Sequence, residues 1–399
     1  KVQISFQNQT LVDLPLRFLK EHPKKSFELR IEGRESKILR ESPVSRLMSE
    51  VSRSELHSLG LKLLSSANIA SKENIIRQYD HEVGGRTVAK PLSGPGGIAP
   101  ADGVVVRPLY GSWQAATIGL GWAGRLAKKN PRAAALASVD EALRNIAAVG
   151  GGLLHWSLLD NYCAGSSSDL RVLCELVEVS EALKEASLAY GAPFVSGKDS
   201  LNNTLADGRG SPTVCLTTAL GVIRDARRIV SVSVKKAGNL IYLAGAAQKG
   251  LGGSEIEFLS GSNEPSHPAV DLPLASRLLM TVRRALGLGL AVSCHDLSEG
   301  GLWVALAEMM LGGTLGISAA LDAVDGGSDL QDLLFGESPS RFLFEVPLAK
   351  SGTLEKIMRG LPLVKIAQVS GSPQLQIKQG AGLLGRWDIA ELEEAFRGR

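Results

Sequence analysis

The sequence has few cysteines, few aromatic side chains and no long apolar run. Its four cysteines, Cys163, Cys174, Cys215 and Cys294, form no C-x-x-C pair among the 399 residues, so reduced thiols are expected and a disulfide framework or zinc site is not. No apolar run reaches the roughly 20 residues that span a bilayer, and the first residues contain no signal-peptide core. We therefore expect a cytoplasmic protein that does not associate with membranes.

The sequence also lacks an excess of charge of one sign. Lysine and arginine number 44 and aspartate and glutamate 41, which gives a net charge of +3 without any dense basic run. A nucleic-acid partner is not expected, whereas a small anionic ligand is compatible with this balance. Glycine, by contrast, is abundant at 44 residues, which is typical of tight turns and of close contacts between backbone and ligand.

A chain of 399 residues is long for one hydrophobic core, and two or three domains are expected. The start, KVQISFQNQTLVDLPLRFL, lacks an initiator methionine and reads as the end of something longer. Residues 2–6 alternate as a strand does, and residues 26–54 are predicted to be a linker or irregular arm. We interpret residues 1–54 as a domain remnant with a linker, followed by domains at 55–225 and 226–399.

Apolar periodicity alternates between helical and strand patterns along both predicted domains. The predicted helices cover 55–83, 138–150, 169–190, 271–287, 300–312 and the segment WDIAELEEAF. The predicted strands are TVAKPL, 104–106, LLHWSLLDNY, FVSGKDS, TVCLTTALGVI, 238–244, LAVSCHD, RFLFEV and LVKIAQV. This alternation predicts an α/β or α+β fold.

The segment GAPFVSGKDSLNN, which begins at Gly191, resembles a phosphate-binding P-loop imperfectly. A P-loop reads G-x-x-x-x-G-K-[ST]. Here the first glycine comes one residue early, and Asp199 stands where the hydroxyl residue belongs. The residues alone leave three interpretations open: a decayed P-loop, an ordinary turn, or a different nucleotide site.

Acidic and amide residues recur where predicted strands end and helices begin. Asp102, Asp160, Asp199 and Asp296 border apolar strands, and Asp140 and Glu141 are expected to open a helix. Each alone is typical of an N-cap or a turn. Together they favour a magnesium–nucleotide site, because Mg²⁺ prefers oxygen ligands and shares them with phosphate.

Glu141 and Asn145 are spaced i, i+4 and therefore project from one helical face. The pair is either a solvated surface pair or a pair of metal ligands. The segment CHDLSEGGL is the second dense group of polar residues: Ser298 or Glu299 is expected to cap a helix that starts near Gly300. A Ser200–His295–Asp160 triad is not supported, because no G-x-S-x-G elbow is present.

Six motifs appear in an order that resembles the phosphoribosylformylglycinamidine synthase family. They are RQYDHEVGG (77–85), SVDEALRNIAAVG (138–150), LLDNYCAG (158–165), PFVSGKDSLNN (193–203), HDLSEGGL (295–302) and LFGESPSRF (334–342). Several are shared with aminoimidazole ribonucleotide synthetase, selenophosphate synthetase and thiamin-monophosphate kinase. QYDHEV together with GKDSLNN and GESPSRF points to the purine-synthesis family itself.

The resemblance implies a fold like that of aminoimidazole ribonucleotide synthetase, with an N-terminal ATP-binding α/β domain followed by an α+β domain. The family's synthetase is a tandem duplication, and this chain is similar to its second half. The family's catalytic histidines lie in the first half, so no catalytic residue is expected here and the chain alone is expected to be inactive.

The implied reaction is the conversion of formylglycinamide ribonucleotide, glutamine and ATP to formylglycinamidine ribonucleotide. The alternatives are an inactive nucleotide-binding structural half, or another ATP enzyme of the superfamily such as selenophosphate synthetase.

The resemblance also implies roles for individual residues, with ATP or ADP and Mg²⁺ as cofactors. The implied nucleotide contacts are Ala101, Asp160, Gly197, Lys198 and Ser298, the substrate contact is Ser200, and the metal ligands are Asp102, Glu141, Asn145 and Asp296. Lys198 stands where many related proteins have an asparagine that binds magnesium. A lysine cannot ligate a cation and is expected to pair with phosphate instead.

The implied partners are a glutaminase subunit or domain and the first half of the synthetase. In the family, the two ATP-binding domains pair through their sheets. Without the first half, an apolar face that includes Val104–Val106 and Val214–Leu220 needs a partner. A homodimer of the chain is therefore expected.

Overall fold

The structure, a computed structural model, describes residues 2–6, 9–14, 53–79, 82–150, 153–324 and 329–398. The chain divides into two units, residues 1–43 and 44–399. In the first unit, strands β1 (Val2–Phe6) and β2 (Gln9–Leu14) pair antiparallel. The strand predicted at residues 2–6 is confirmed, whereas the predicted linker lies almost entirely outside the described residues.

A six-stranded sheet forms the first layer of the second unit. Its strand order is β3-β6-β7-β10-β8-β9, and every neighbouring pair is antiparallel except β8 with β9. The strands are β3 (Thr87–Ala89), β6 (Gly103–Val106), β7 (Ala115–Gly121), β8 (Leu153–Cys163), β9 (Phe194–Ser200) and β10 (Val214–Ile223), and the short pair β4 (Leu92–Ser93) and β5 (Ala99–Pro100) lies between β3 and β6 in sequence.

Helices cover one face of this sheet. The helices in this part of the sequence are α1 (Arg53–Leu64), α2 (Glu73–Ile76), α3 (Gly124–Ala127), α4 (Pro131–Ala148) and α5 (Leu170–Tyr190). Of these, α1 packs not on this sheet but in the core of the seven-stranded sheet described below. Helix α4 packs on β7 and β10, and α5 connects the parallel strands β8 and β9. On the opposite face Ile118, Leu120 and Leu220 are exposed, so this face presents apolar side chains to solvent.

A seven-stranded sheet forms the second layer, in the order β12-β14-β11-β15-β13-β16-β17. Its strands are β11 (Leu240–Ala244), β12 (Ser293–Asp296), β13 (Gly316–Ala320), β14 (Phe342–Val346), β15 (Leu363–Ser370), β16 (Gln374–Gln379) and β17 (Gly382–Asp388). Its helices are α6 (Glu255–Ser260), α7 (Leu272–Gly287), α8 (Gly301–Glu308), α9 (Leu330–Phe335), α10 (Leu348–Ile357) and α11 (Ile389–Arg397).

The second sheet is buried on both faces at strands β12 and β14. Phe342 and Phe344 face a core shared with helices α4 and α5 of the first layer, whereas Leu343 faces a core that contains Trp303 and Trp387. Strands β12 and β14 are buried at every residue. The polar residues at the end of β12 therefore lie between strands and helices whose side chains are buried on both faces of the sheet.

The helix predicted over 55–83 is wrong as one continuous element. The chain forms α1 and the four-residue α2, with turns between them. Serines favour this break: the Ser65 hydroxyl donates to the carbonyl of Lys62, and the Ser71 hydroxyl accepts from the amide of Glu73. Such local bonds compete with helix continuation.

Strand β7 was not predicted, because its glycines weaken the strand pattern. A β-carbon on Gly121 would lie 2.6 Å from the amide nitrogen of Ala142, and one on Gly119 would lie 2.8 Å from the β-carbon of Asn145. The two glycines allow α4 to approach β7 closely, which places Asn145 and its neighbours against the sheet.

Helix α4 begins seven residues earlier than predicted. Asn130 is its N-cap, with the side-chain oxygen accepting from the amide of Ala133, and Pro131 is the first helical residue. Asp140 and Glu141 therefore lie in the middle of the helix, and the expectation that they open it is wrong.

The described residues contain no helix long and apolar enough to cross a membrane.

Candidate nucleotide and metal site

A cavity of about 180 Å³ lies where β6, α4 and the end of β12 meet. The cavity is lined by Asn68, Ile69, Pro100, Ala101, Asp102, Glu141, Asn145, His295, Asp296, Ser298, Glu299, Gly301, Ala305 and Glu308. A second cavity of about 390 Å³ shares Glu141, Ser298 and Glu299 with the first. Six sequence-predicted site residues thus line one cavity, although Ala101 and Ser298 are 197 residues apart in the sequence.

Helix α4 contributes Glu141 and Asn145 from one face. The amide of Trp122 donates to Glu141 Oε2 at 2.7 Å, and Asn145 Nδ2 donates to the carbonyl of Leu120 at 2.6 Å. Asn145 Oδ1 is buried and has no hydrogen-bond partner. A buried acceptor without a partner is costly, so this oxygen is available to a ligand, and the interpretation as a solvated surface pair is wrong.

The end of β12 contributes Asp296, and the segment that follows it contributes Ser298. The Ser298 hydroxyl donates to Asp296 Oδ2 at 2.7 Å and lies 3.1 Å from Glu141 Oε1. The N-cap of α8 is Gly300, at φ +76°, with no side-chain cap bond. The expectation that Ser298 or Glu299 caps this helix is therefore wrong, because the serine hydroxyl is used within the cavity instead.

Asp102, the residue immediately before β6, is held by two donors. His295 Nδ1 lies 2.7 Å from Asp102 Oδ1, and the amide of Asp296 donates to Asp102 Oδ2 at 3.3 Å. His295 Nε2 lies 2.9 Å from Glu308 Oε2. Both ring nitrogens of His295 are thus engaged by carboxylates, which excludes the Ser200–His295–Asp160 triad.

A buried arginine, Arg144, lines the adjoining cavity of about 390 Å³ and contacts residues of the first cavity. Its guanidinium pairs with Asp140, donates to Asp296 Oδ2 at 3.0 Å and reaches the Ser298 hydroxyl at 3.2 Å. Asp140 also accepts from the Tyr190 hydroxyl at 2.6 Å. Arg144 and Asp140 therefore connect helices α4 and α5 with the polar residues at and after the end of β12.

The cavity holds more carboxylates than cations, and burial together with this excess raises the pKa values of Asp102 and Glu141. Burial raises the pKa of Asp102 to about 6 against the opposing effect of His295. Burial, then Glu299 and Asp296, raise the pKa of Glu141 well above its usual range. Burial lowers the pKa of His295, but Asp102 and Glu308 outweigh it and the net shift is upward. Closely spaced carboxylates of this kind favour a bound cation.

The residues present fit Mg²⁺. Asp102, Glu141, Asn145 and Asp296 offer hard oxygen atoms around one small cavity, and the partnerless Asn145 Oδ1 is an acceptor that the protein itself leaves unused. Oxygens of Asp102 and Asp296 also lie within 4.8 Å of one another. Asp296 Oδ2 is already engaged by Arg144, so one oxygen of this carboxylate is neutralised by the protein.

The remaining predicted site residues lie together on the edge strand β9 and its neighbour β8. Asp160 pairs with Gly197 across the parallel ladder, and Asn161 pairs with Lys198. The Lys198 ammonium donates to the Ser200 hydroxyl. Burial, together with Asp199, raises the pKa of Asp160. The segment is an exposed strand and not a P-loop turn, which removes the decayed P-loop interpretation.

Sequence reasoning missed Arg144 and Glu308. Arg144 lies inside the motif SVDEALRNIAAVG, and its i, i+4 spacing from Asp140 was a usable signal. Glu308 gave no signal, because its contact with His295 depends on how α8 packs beside β12. Both residues contact predicted ligands, so the site is larger than its motifs.

Comparison with known proteins places the chain among synthetase relatives. The family model for AIR synthase related protein, C-terminal domain, matches residues 236–379. Phosphoribosylformylglycinamidine synthase subunit PurL of Thermus thermophilus is 31% identical over 401 residues, which cover 99% of this chain and 51% of that protein. The chain therefore spans about half the length of this relative. The matched family region falls within the predicted domain at 226–399.

Solved structures show the same fold. PurL of Thermotoga maritima complexed with FGAR superimposes with a TM-score of 0.68 at 18% identity, covering 85% of this chain and 53% of that chain. The same protein complexed with ATP gives a TM-score of 0.63 at 18% identity, covering 85% and 52%. The predicted fold class, aminoimidazole ribonucleotide synthetase-like with α/β and α+β parts, is confirmed.

Proposed function

We propose that this chain forms part of an ATP-dependent ligase of purine biosynthesis, because it belongs to the phosphoribosylformylglycinamidine synthase family. It is homologous to a member of this family over nearly its whole length. The reaction converts formylglycinamide ribonucleotide to its amidine. ATP phosphorylates the amide oxygen of the substrate, and ammonia derived from glutamine displaces the phosphate. The chain supplies walls of nucleotide sites for this enzyme.

One observation supports a metal–nucleotide role above all: Asp102, Glu141, Asn145 and Asp296 converge on one cavity in which Asn145 Oδ1 has no partner. These four residues would hold Mg²⁺, and Ala101 and Ser298 would contact the nucleotide. A bound Mg²⁺ neutralises phosphate charge. The adjoining cavity of about 390 Å³ offers space for the rest of the ligand.

The second proposed nucleotide contact is the edge formed by Asp160, Gly197 and Lys198, with Ser200 contacting the substrate. Lys198 is exposed and donates to Ser200. The Lys198 ammonium and the Ser200 hydroxyl are therefore close enough for both to donate to one phosphate. A lysine in this position supplies charge to a phosphate without ligating metal.

The proposed partners are a glutaminase subunit or domain and the counterpart of the first half of the relatives, since the relative is itself named a subunit. We infer that ammonia comes from another polypeptide or domain.

Titration calorimetry tests the nucleotide site directly. Mg·ADP is expected to bind the chain, to be released by a chelator, and to bind at least tenfold more weakly to Glu141→Gln. Glu394→Gln, which changes an exposed glutamate on α11, is the control. Equal ADP affinity with and without the chelator, or in Glu141→Gln, would contradict the proposed metal–nucleotide site.

Phosphate release tests the reaction. The chain combined with the first-half counterpart, a glutaminase, ATP and formylglycinamide ribonucleotide is expected to release phosphate in a substrate-dependent manner. The 399-residue chain assayed by itself is expected to release none. Turnover by the chain alone would show that it carries catalytic groups that this proposal assigns elsewhere.

A further inference from the structure

Asp102 is connected to the second layer of the protein by two consecutive hydrogen bonds through His295. Asp102 enters the cavity on the short connection between β5 and β6, and its side chain is 5% exposed. Its Oδ1 atom lies 2.7 Å from His295 Nδ1, whereas its other oxygen receives only the longer bond of 3.3 Å from the amide of Asp296. His295 is thus the main donor to this carboxylate.

His295 is in turn held by Glu308. The histidine lies at the buried end of β12 with its side chain 6% exposed, and its Nε2 atom lies 2.9 Å from Glu308 Oε2. Glu308 ends helix α8, whose residues from Gly301 to Ala307 are all buried. The hydrogen bonds from Glu308 through His295 therefore connect Asp102 to the buried helix α8 of the second layer.

We propose that His295, held by Glu308, is a positioning residue that fixes the Asp102 carboxylate in the orientation a divalent metal ion requires. The proposal rests on the proposed function, because Asp102 is a metal ligand only there. A carboxylate on a short connection can rotate about its own side-chain bonds. The donor at Nδ1 removes that freedom before the metal arrives, which lowers the ordering cost of binding.

Substitution of Glu308 separates positioning from direct ligation. Glu308→Leu removes the partner of Nε2 and frees the ring, so Mn²⁺ affinity is expected to fall about 10- to 100-fold, as for other lost supports of metal ligands. Glu308→Gln retains a group that can accept from or donate to Nε2. Its Mn²⁺ affinity is expected to stay within about threefold of the wild-type value.

The measurement is the electron paramagnetic resonance signal of free Mn²⁺ during titration of the chain. Glu393→Leu is the matched control, because Glu393 is also partly buried and its Oε1 accepts one hydrogen bond, from the amide of Gly312 at 2.9 Å, outside the cavity. Thermal unfolding of every variant separates lost affinity from lost fold. Glu393→Leu is expected to bind Mn²⁺ like the wild type.

A second pair of variants tests the same role without Glu308. His295→Asn places an amide donor near the former Nδ1 atom and is expected to retain most of the Mn²⁺ affinity, whereas His295→Leu has no donor and is expected to lose it. If Glu308→Leu fails to fold, the difference in Mn²⁺ affinity between His295→Asn and His295→Leu tests the positioning role.

Three other outcomes would contradict the positioning role or the metal site on which it rests. If the wild type binds no Mn²⁺, the proposed metal site is wrong and the positioning role falls with it. If the wild type binds and Glu308→Leu binds equally well, only the positioning role is wrong. If Glu308→Gln loses as much affinity as Glu308→Leu, Glu308 is itself a ligand and the positioning role is again wrong.

Discussion

The carboxylate of Asp160 lies in the space that a side chain on Gly197 would need. A β-carbon built on Gly197 would stand 2.8 Å from Asp160 Cγ and 2.8 Å from Oδ2. The two residues are register partners on the parallel strands β8 and β9. A side chain at position 197 would therefore have to displace the Asp160 carboxylate, whereas the backbone itself does not require glycine, since Gly197 is not among the residues with positive φ.

Gly197→Ala is expected to weaken ATP binding about tenfold or more, because the added methyl group displaces the Asp160 carboxylate from its place on the strand edge. Strand β9 is exposed, so the melting temperature should change little. Calorimetric titration with Mg·ATP provides the measurement. Gly111→Ala is the control, since a β-carbon there has nothing within 4 Å. Unchanged affinity in Gly197→Ala would show that Asp160 does not contact the nucleotide.

Arg144→Met is expected to destabilise the protein by about 3–5 kcal/mol, because it leaves buried carboxylates without their counter-ion. The Arg144 side chain is 4% exposed and pairs with Asp140 and Asp296. Urea unfolding followed by circular dichroism measures the loss.

The matched control is Arg171→Met. Arg171 also pairs with a carboxylate at i+4, Glu175 at 3.7 Å, but its side chain is 79% exposed. Its loss should cost no more than about 1 kcal/mol. A change below about 1 kcal/mol for Arg144→Met as well would mean that the buried pair contributes no net stability.

The free energy of unfolding of Glu337→Gln is expected to exceed that of the wild type by more at pH 8 than at pH 5. Burial, then Glu299, raise the pKa of Glu337 from 4.5 to about 8 in the folded state. The folded protein therefore keeps a proton that the unfolded chain releases above pH 4.5, and wild-type stability falls as pH rises from about 4.5 to 8. The glutamine carbonyl oxygen can still accept from the amides of Glu255 and Gly300, which now lie 2.8 Å from Glu337 Oε1.

The free energy of unfolding in urea at pH 5, 6, 7 and 8 measures this difference. The advantage of Glu337→Gln should grow by on the order of 3 kcal/mol over this range, whereas Glu394→Gln, at an exposed position, should show a flat difference. An advantage that shrinks with rising pH would reverse the assigned sign.

The apolar face of the six-stranded sheet is expected to form a homodimer of the chain. Ile118 and Leu220 are register partners on β7 and β10, with side chains 37% and 39% exposed, and Leu120 beside them is 51% exposed. A twofold contact that covers this face would bury about 1,200 Å² or more. Light scattering at micromolar concentration should give twice the chain mass.

The double variant Leu120→Glu/Leu220→Glu should give the single mass, because charge on this face opposes its burial. Leu188→Glu is the control, since Leu188 is 73% exposed on helix α5, which covers the opposite face. A wild-type chain that remains a monomer would show that the sheet face does not self-associate, and the expectation of a homodimer would be wrong.

Much of the secondary structure follows from local pattern. The predicted strands in LLHWSLLDNY, FVSGKDS and TVCLTTALGVI are confirmed as β8, β9 and β10, and the helix predicted at 169–190 is α5. Each of these segments has a strong apolar period. Strand β7 is the exception, because Gly119 and Gly121 serve the packing of α4 and not the strand itself.

The amino-acid sequence by itself determined which residue types are available and which motif holds each one: the candidate oxygen ligands in SVDEALRNIAAVG and HDLSEGGL, and the glycine in FVSGKDS. Only the tertiary structure decided which of them meet. His295 and Asp102 are 193 positions apart, and Arg144 and Asp296 are 152 positions apart. Local periodicity reports which face of a helix or strand is buried, but contacts over such separations depend on how two sheets pack through a shared core.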